Sequence, residues 1–292
     1  MQLKGAITAI VTPFKNGEVD EKCFRELIEW QISEGIDGLV PCGTTGESAT
    51  LSHEEHERVI KICIDQVNKR VPVIAGAGSN NTKEAISLLR FAKKAGADAG
   101  LMLTPYYNKP TQEGVYQHFK AIAAEVSLPM VVYNVPGRTG LNVTAATMAR
   151  MFKDIPTVVA AKEASGNIVQ ISDYMEMCGP DFTLLVGDDF AVLPSMAMGC
   201  TGVISVTGNI APRMMHDLCQ AWFDKDLEKA KKLHYAMMPL NRCCFLETNP
   251  IPVKTALCMM GKVGPELRLP LVHLQPENEA ALKKILTDAK LL

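Results

Sequence analysis

Lys162 closes the run Val158, Val159, Ala160, Ala161, which reads as a strand buried on both faces. An ammonium at such a place loses hydration, and the neutral amine that burial favours is the nucleophile of Schiff-base chemistry. The plainer alternative is a strand that simply ends, with the lysine stem lying along apolar surface and its head in water. Four other polar stretches follow apolar runs in the same way. "GTTGES", Gly43 to Ser48, combines backbone N–H groups with the hydroxyls of Thr44 and Thr45, a set suited to a carboxylate, or else a turn with a helix cap. It lacks the lysine of a nucleotide phosphate loop. "TPYYN" offers the phenols of Tyr106 and Tyr107, able to relay protons or merely to pack. "YNVPGRTG" presents Arg138, a bidentate carboxylate binder or a solvated loop charge, and "GDD" spans Gly187 to Asp189. Together they describe an imine enzyme that handles acids. The lysine condenses with a 2-oxo acid, a phenol moves protons, and the iminium draws electrons so that an enamine forms and attacks an aldehyde.

These residues need a scaffold that brings strand ends to one rim. Eight candidate strands recur: "GAITAIVTP", "GLVPCG", "VPVIAGAG", "AGLMLTPYY", "PMVVYNVP", "TVVAAKEA", "TLLVGDD" and "GVISVTGN". Segments of helical period lie between them, and three helices run out in kindred phrases, "EGIDGLV", "AGADAGLM" and "MGCTGVI", where glycine ends the helix. Eight alternations predict a (β/α)8 TIM barrel rather than an open sheet, and no G-x-G-x-x-G follows the first strand. In a barrel the C-terminal strand ends carry the site. From about Ala211 the pattern reads as wholly helical, more than an eighth barrel helix requires. The expected organisation is a barrel over residues 1–225 with a C-terminal helical extension over 226–292.

Composition narrows the function. The chain has 292 residues, 47% of them hydrophobic, and 32 acidic against 30 basic residues give a net charge of −2. That balance makes no electrostatic case for nucleic acid or a membrane surface. No apolar run is long enough to span a bilayer, and the start reads as a strand rather than a secretory signal. Nine scattered cysteines form no C-x-x-C pair, so neither zinc nor a redox motif is signalled. They read as small core residues in a reducing compartment, and the protein as cytoplasmic. Cys42 stands apart because it adjoins the glycine-threonine loop.

With these marks in order, from "AIVTPF" to "NPIPVK" (Asn249 to Lys254), nearly the whole chain resembles the pyruvate-dependent class I lyases and aldolases of the N-acetylneuraminate lyase family. "YNVPGRTG" and "NPIPVK" are most similar to its dihydrodipicolinate synthases. The resemblance implies condensation of pyruvate with L-aspartate 4-semialdehyde, on the route to diaminopimelate and lysine. It makes Lys162 the Schiff-base lysine and Tyr133 the proton-handling phenol. Thr44 would link Tyr133 to Tyr107, a tyrosine that reaches into a neighbouring subunit's site. Thr45 would hold the pyruvate carboxylate, Arg138 the carboxylate of the semialdehyde, and Gly187 and the backbone of Ile204 would line the pocket. No metal and no cofactor beyond the imine on Lys162 is implied. The assembly implied is a homo-oligomer, a tetramer built as a dimer of dimers. Feedback inhibition by L-lysine is implied through Ser48, Ala49, His53, His56, Asn80, Glu84 and Tyr106. On spacing alone His53 and His56 share a helix face, and two histidines make a poor metal site. Two rival readings remain: a sister aldolase acting on sugar acids, and a barrel serving only as a scaffold.

Overall fold

A computed structural model describes residues 3–292. The eight apolar runs become strands: β1 (Gly5–Ala9), β2 (Gly38–Val40), β3 (Ile74–Gly76), β4 (Ala99–Leu103), β5 (Met130–Asn134), β6 (Val158–Glu163), β7 (Thr183–Val186) and β8 (Gly202–Ser205). Their near-continuous burial on both faces is what a parallel sheet covered by helices demands. They form one eight-stranded sheet in the order β2-β1-β8-β7-β6-β5-β4-β3. A parallel bridge joins Leu39 of β2 to Val73, immediately before β3. Eight parallel strands alternating with helices, followed by further helices, make the fold a TIM barrel with a C-terminal helical extension. The three helix-ending glycines behave as expected: Gly35, Gly96 and Gly199 all have positive φ, at 86°, 98° and 109°.

The chain divides into two compact units. One comprises residues 3–4 and Ile74–Ile204, and so carries β3 to β7 and most of β8. In it β5 and β6 pair in register from Val131↔Ala160 to Asn134↔Glu163, but Met130 pairs with Val158, so a bulge adds one residue to β6. Without that residue Ala161 would stand beside Tyr133; with it, Lys162 does.

The other unit comprises Gly5–Val73 and Ser205–Leu292, so the helices after residue 225 belong with β1 and β2. Its helix His53–Val67 starts in a capping box, Ser52 with Glu55. The tail holds the helices Pro212–Phe223, Leu227–Cys243, Ile251–Met259 and Pro276–Asp288. It is not wholly helical, because residues 260–275 contain no helix. Gly261, at φ 68°, ends the preceding helix, and Pro265 and Pro270 prevent another from starting. A short hairpin, Phe14–Lys15 with Glu18–Val19, turns on Asn16 and Gly17, both at positive φ. No helix among the described residues is long and apolar enough to cross a membrane.

Candidate active site

In the first unit Lys162 is 5% exposed, and its Nζ lies 4.3 Å from the centroid of the Tyr133 ring on the adjacent strand. Tyr133 is itself buried. Room for the lysine comes from Gly187, just past β7: a Cβ there would stand 2.6 Å from Lys162 Cε and 2.7 Å from the Ala164 Cβ. Any side chain at 187 would displace the amine, so this glycine is a requirement of space. Lys162, Tyr133 and Gly187 are thus brought together. Ile204 is buried at the end of this unit, on β8.

Period-two alternation turns Glu163 to the opposite face of β6 from Lys162. There it is 1% exposed and accepts hydrogen bonds from Asn134 Nδ2 at 2.8 Å, Gln170 Nε2 at 3.0 Å and the Ser165 N–H at 2.7 Å. Asn134 also bonds Asn142 Oδ1 at 2.8 Å, and its own Oδ1 receives the Val143 N–H at 3.0 Å. Asn142 in turn donates to Gln170 Oε1 at 2.8 Å. This network anchors both ends of the segment carrying Arg138, which sits exposed in the short helix Pro136–Thr139. The sequence singles out Arg138, and Glu163 beside Lys162, but not the amides of Asn134, Asn142 and Gln170 that hold the loop. Asp188 follows Gly187, and burial pushes its carboxyl above the ordinary value, opposed by a hydrogen bond from the Phe190 N–H. Tyr107 is 90% exposed at φ 69°, a left-handed backbone that a tyrosine adopts only at a cost.

In the second unit the Gly43–Ser48 loop folds on itself. The N–H groups of Gly46 and Ser48 donate to Gly43 O, and that of Glu47 donates to Thr44 O. Those three donors are spent internally, so the anion site expected of this loop narrows to Thr44 and Thr45. Thr45 is 2% exposed, and its Oγ1 accepts from Asn249 Nδ2 at 3.0 Å. Gly46 leaves little space for a Cβ, which would meet Cys42 N and Ile10 O at 3.1 Å, and its carbonyl accepts from Thr12 Oγ1 at 2.8 Å. Glu47, at φ 53°, is fully buried and bonds Lys254 Nζ at 2.5 Å and the Arg268 N–H at 3.2 Å. Burial lowers the Lys254 ammonium below its ordinary value, with Glu47 opposing. Cys42 is no thiolate, since burial raises its thiol well above the ordinary value.

The residues implied for L-lysine fall in both units. In the first, Asn80 Nδ2 donates to Tyr106 O at 3.1 Å, and Glu84 accepts from Ser79 Oγ. Burial, and then the Glu84 charge, raise the Tyr106 phenol. Asn80 is therefore already committed to a backbone carbonyl through its amide. In the second, Ser48 and Ala49 lie in a short 3-10 turn, and His53 and His56 begin the helix His53–Val67. The two histidines do not share an environment: His53 is exposed in the first turn, whereas His56 is buried with Val59 and Ile60.

A family model described as the dihydrodipicolinate synthetase family matches residues 2–289. The chain belongs to that family. It is accordingly an enzyme, a lyase. A protein of Oleidesulfovibrio alaskensis named 4-hydroxy-tetrahydrodipicolinate synthase is 65% identical over 292 residues, covering 100% of both chains. One of the same name from Nitratidesulfovibrio vulgaris is 63% identical over 289 residues, 99% of each chain. Among solved structures, dihydrodipicolinate synthase from Acinetobacter baumannii complexed with pyruvate superposes with a TM-score of 0.97 at 46% identity, covering 100% of both chains. The enzyme from Cyanidioschyzon merolae with lysine bound gives 0.96 at 40% identity, also over 100% of both.

Proposed function

We propose that this enzyme condenses pyruvate with L-aspartate 4-semialdehyde through an imine on Lys162, giving 4-hydroxy-tetrahydrodipicolinate on the route to diaminopimelate and lysine. The observation that carries the proposal is the buried Lys162 amine against the Tyr133 ring, in space that only a glycine at 187 leaves open. The Nζ adds to the ketone carbon of pyruvate and the oxygen departs as water. The iminium accepts the electron pair left when a methyl proton is removed, and the resulting enamine carbon bonds to the aldehyde carbon. The semialdehyde's amine then displaces the lysine and closes the ring, so the two substrates yield the product and water. No cofactor beyond the imine is needed.

Tyr133 is assigned the taking and returning of these protons, in a relay of Tyr133, Thr44 and Tyr107. Thr45 is assigned the pyruvate carboxylate and Arg138 that of the semialdehyde, with Gly187 and Ile204 at the wall. The almost complete exposure of Tyr107 on a costly backbone suits a side chain destined for a neighbouring subunit, so we read the enzyme as a homo-oligomer, a tetramer formed as a dimer of dimers. It is read as cytoplasmic, and its nine free cysteines suit a reducing compartment.

L-lysine is proposed as a feedback inhibitor held by Ser48, Ala49, His53, His56, Asn80, Glu84 and Tyr106. The lysine-bound relative supports this reading, as does the clustering of Asn80, Glu84 and Tyr106. The assay is direct: the purified protein is given both substrates, and then L-lysine is titrated in. Turnover that millimolar L-lysine suppresses is expected. No turnover refutes the reaction, and undiminished turnover refutes the inhibitor.

A further inference from the structure

The chain entering the helix Ile251–Met259, and the helix's first turn, grip the glycine-threonine loop at Thr45 and Glu47. Asn249 Nδ2 donates to Thr45 Oγ1 at 3.0 Å, and Lys254 Nζ bonds Glu47 Oε1 at 2.5 Å. The partners are 204 and 207 residues apart in sequence, and all four side chains are buried. Arg268 adds a third hold, since its N–H reaches Glu47 Oε2 while its guanidinium bonds Thr50 O and both oxygens of Glu55. Thr12 supplies a fourth on Gly46 O. The loop is clamped immediately after Thr45, at Gly46 and Glu47, and Thr45 itself is touched through its hydroxyl oxygen.

A hydroxyl has one proton and two lone pairs, whereas an amide NH2 can only donate. With Asn249 Nδ2 filling a lone pair of Thr45 Oγ1, the Thr45 proton must point away from Asn249. We propose that Asn249 is a positioning residue for the carboxylate site, turning the Thr45 hydroxyl into a fixed donor toward the carboxylate of the 2-oxo acid. This rests on the assignment of Thr45 given above. The advantage is pre-orientation: a buried hydroxyl that is already aimed pays no reorganisation when the anion arrives. The clamp on Glu47 prevents the loop from carrying that donor out of line.

The test is borohydride trapping of the pyruvate adduct as a function of pyruvate concentration, read by intact mass, on the full-length protein. In Asn249→Ala the half-saturating pyruvate concentration should rise about tenfold, with full trapping and near-normal turnover at saturation. In pyruvate half-saturation, the double variant Asn249→Ala/Thr45→Val should be no worse than Thr45→Val alone, because Asn249 acts on the carboxylate through that hydroxyl. Asn249→Asp, of the same shape, should raise the half-saturating concentration further at high pH and recover as pH falls, since a protonated acid again offers a donor. It also keeps the test alive if the alanine variant does not fold. An unchanged half-saturation in Asn249→Ala, or a full extra loss on top of Thr45→Val, overturns the proposal. No adduct in the unsubstituted protein overturns instead the imine reading on which it rests.

Discussion

Lys162 and Lys254 both end short apolar runs, "VVAAK" and "PIPVK", and both are buried, at 5% and 1% exposure. Their surroundings set them apart. Lys254 has the Glu47 carboxylate against its Nζ and the Phe14 ring 4.1 Å away. Lys162 has the face of Tyr133 and the bare backbone at Gly187, and among the described residues no carboxylate pairs with it. A buried ammonium is tolerated when an anion balances it, and such a lysine is fixed in place. A buried lysine without that partner is not tied down, and its Nζ stays free to meet a carbonyl. One lysine holds a loop, and the other is the one proposed to react.

The sharpest way to break this comparison is to exchange the losses. Lys162→Ala should lower turnover by roughly 10⁴-fold while leaving the melting temperature close to that of the parent. Lys254→Met should do the reverse. Stranding the buried Glu47 carboxylate should cost about 3–5 kcal/mol in denaturant titration, while the folded fraction still traps pyruvate. Adding Glu47→Gln should restore much of that stability. If Lys254→Met instead lost the adduct at full stability, the roles would be reversed.

His118 extends the comparison to a third buried base. Burial lowers its imidazole from 6.5 to about 4, and Thr82 Oγ1 lies 3.0 Å from its Nδ1. Between those values the unfolded chain binds a proton that the folded chain refuses. Stability is therefore intact above pH 6.5 and falls as pH drops toward about 4. The slope is at most about 1.4 kcal/mol per pH unit, and His118→Gln should remove this contribution in denaturant titrations at stepped pH. The smallest effect is expected of Gly187→Ala. Its added Cβ would press on Lys162 Cε, so imine formation should slow by about tenfold with a stability loss of about 1–2 kcal/mol. Trapping at the parent's rate would show that the amine has room to spare.

The strands were legible because parallel β-structure writes itself as continuous apolar runs, and Lys162 was conspicuous because it interrupts one. The hairpin at Asn16 and Gly17 carried a readable signal, the N-G turn pair, but strands of two residues leave no period to detect. The break over residues 260–275 was likewise marked by Gly261, Pro265 and Pro270 within an otherwise helical composition. Asn249, Lys254 and Arg268 were harder. Their partners Thr45 and Glu47 lie more than 200 residues away, and no local pattern tells a lysine which carboxylate it will meet. Glu163 was visible beside Lys162, yet its role depends on Asn134 and Gln170 arriving from other elements. The bulge that sets Lys162 rather than Ala161 beside Tyr133 exists only in the pairing of two strands.

The central claim is that the buried lysine lacking an anion is the one that reacts. Pyruvate and borohydride are added to the unsubstituted protein, which is then digested, and the reduced adduct is located by peptide mass. The account predicts a single modified peptide, the one containing Lys162, and none in Lys162→Ala. An adduct on Lys254 or any other lysine, or no adduct at all, would contradict it.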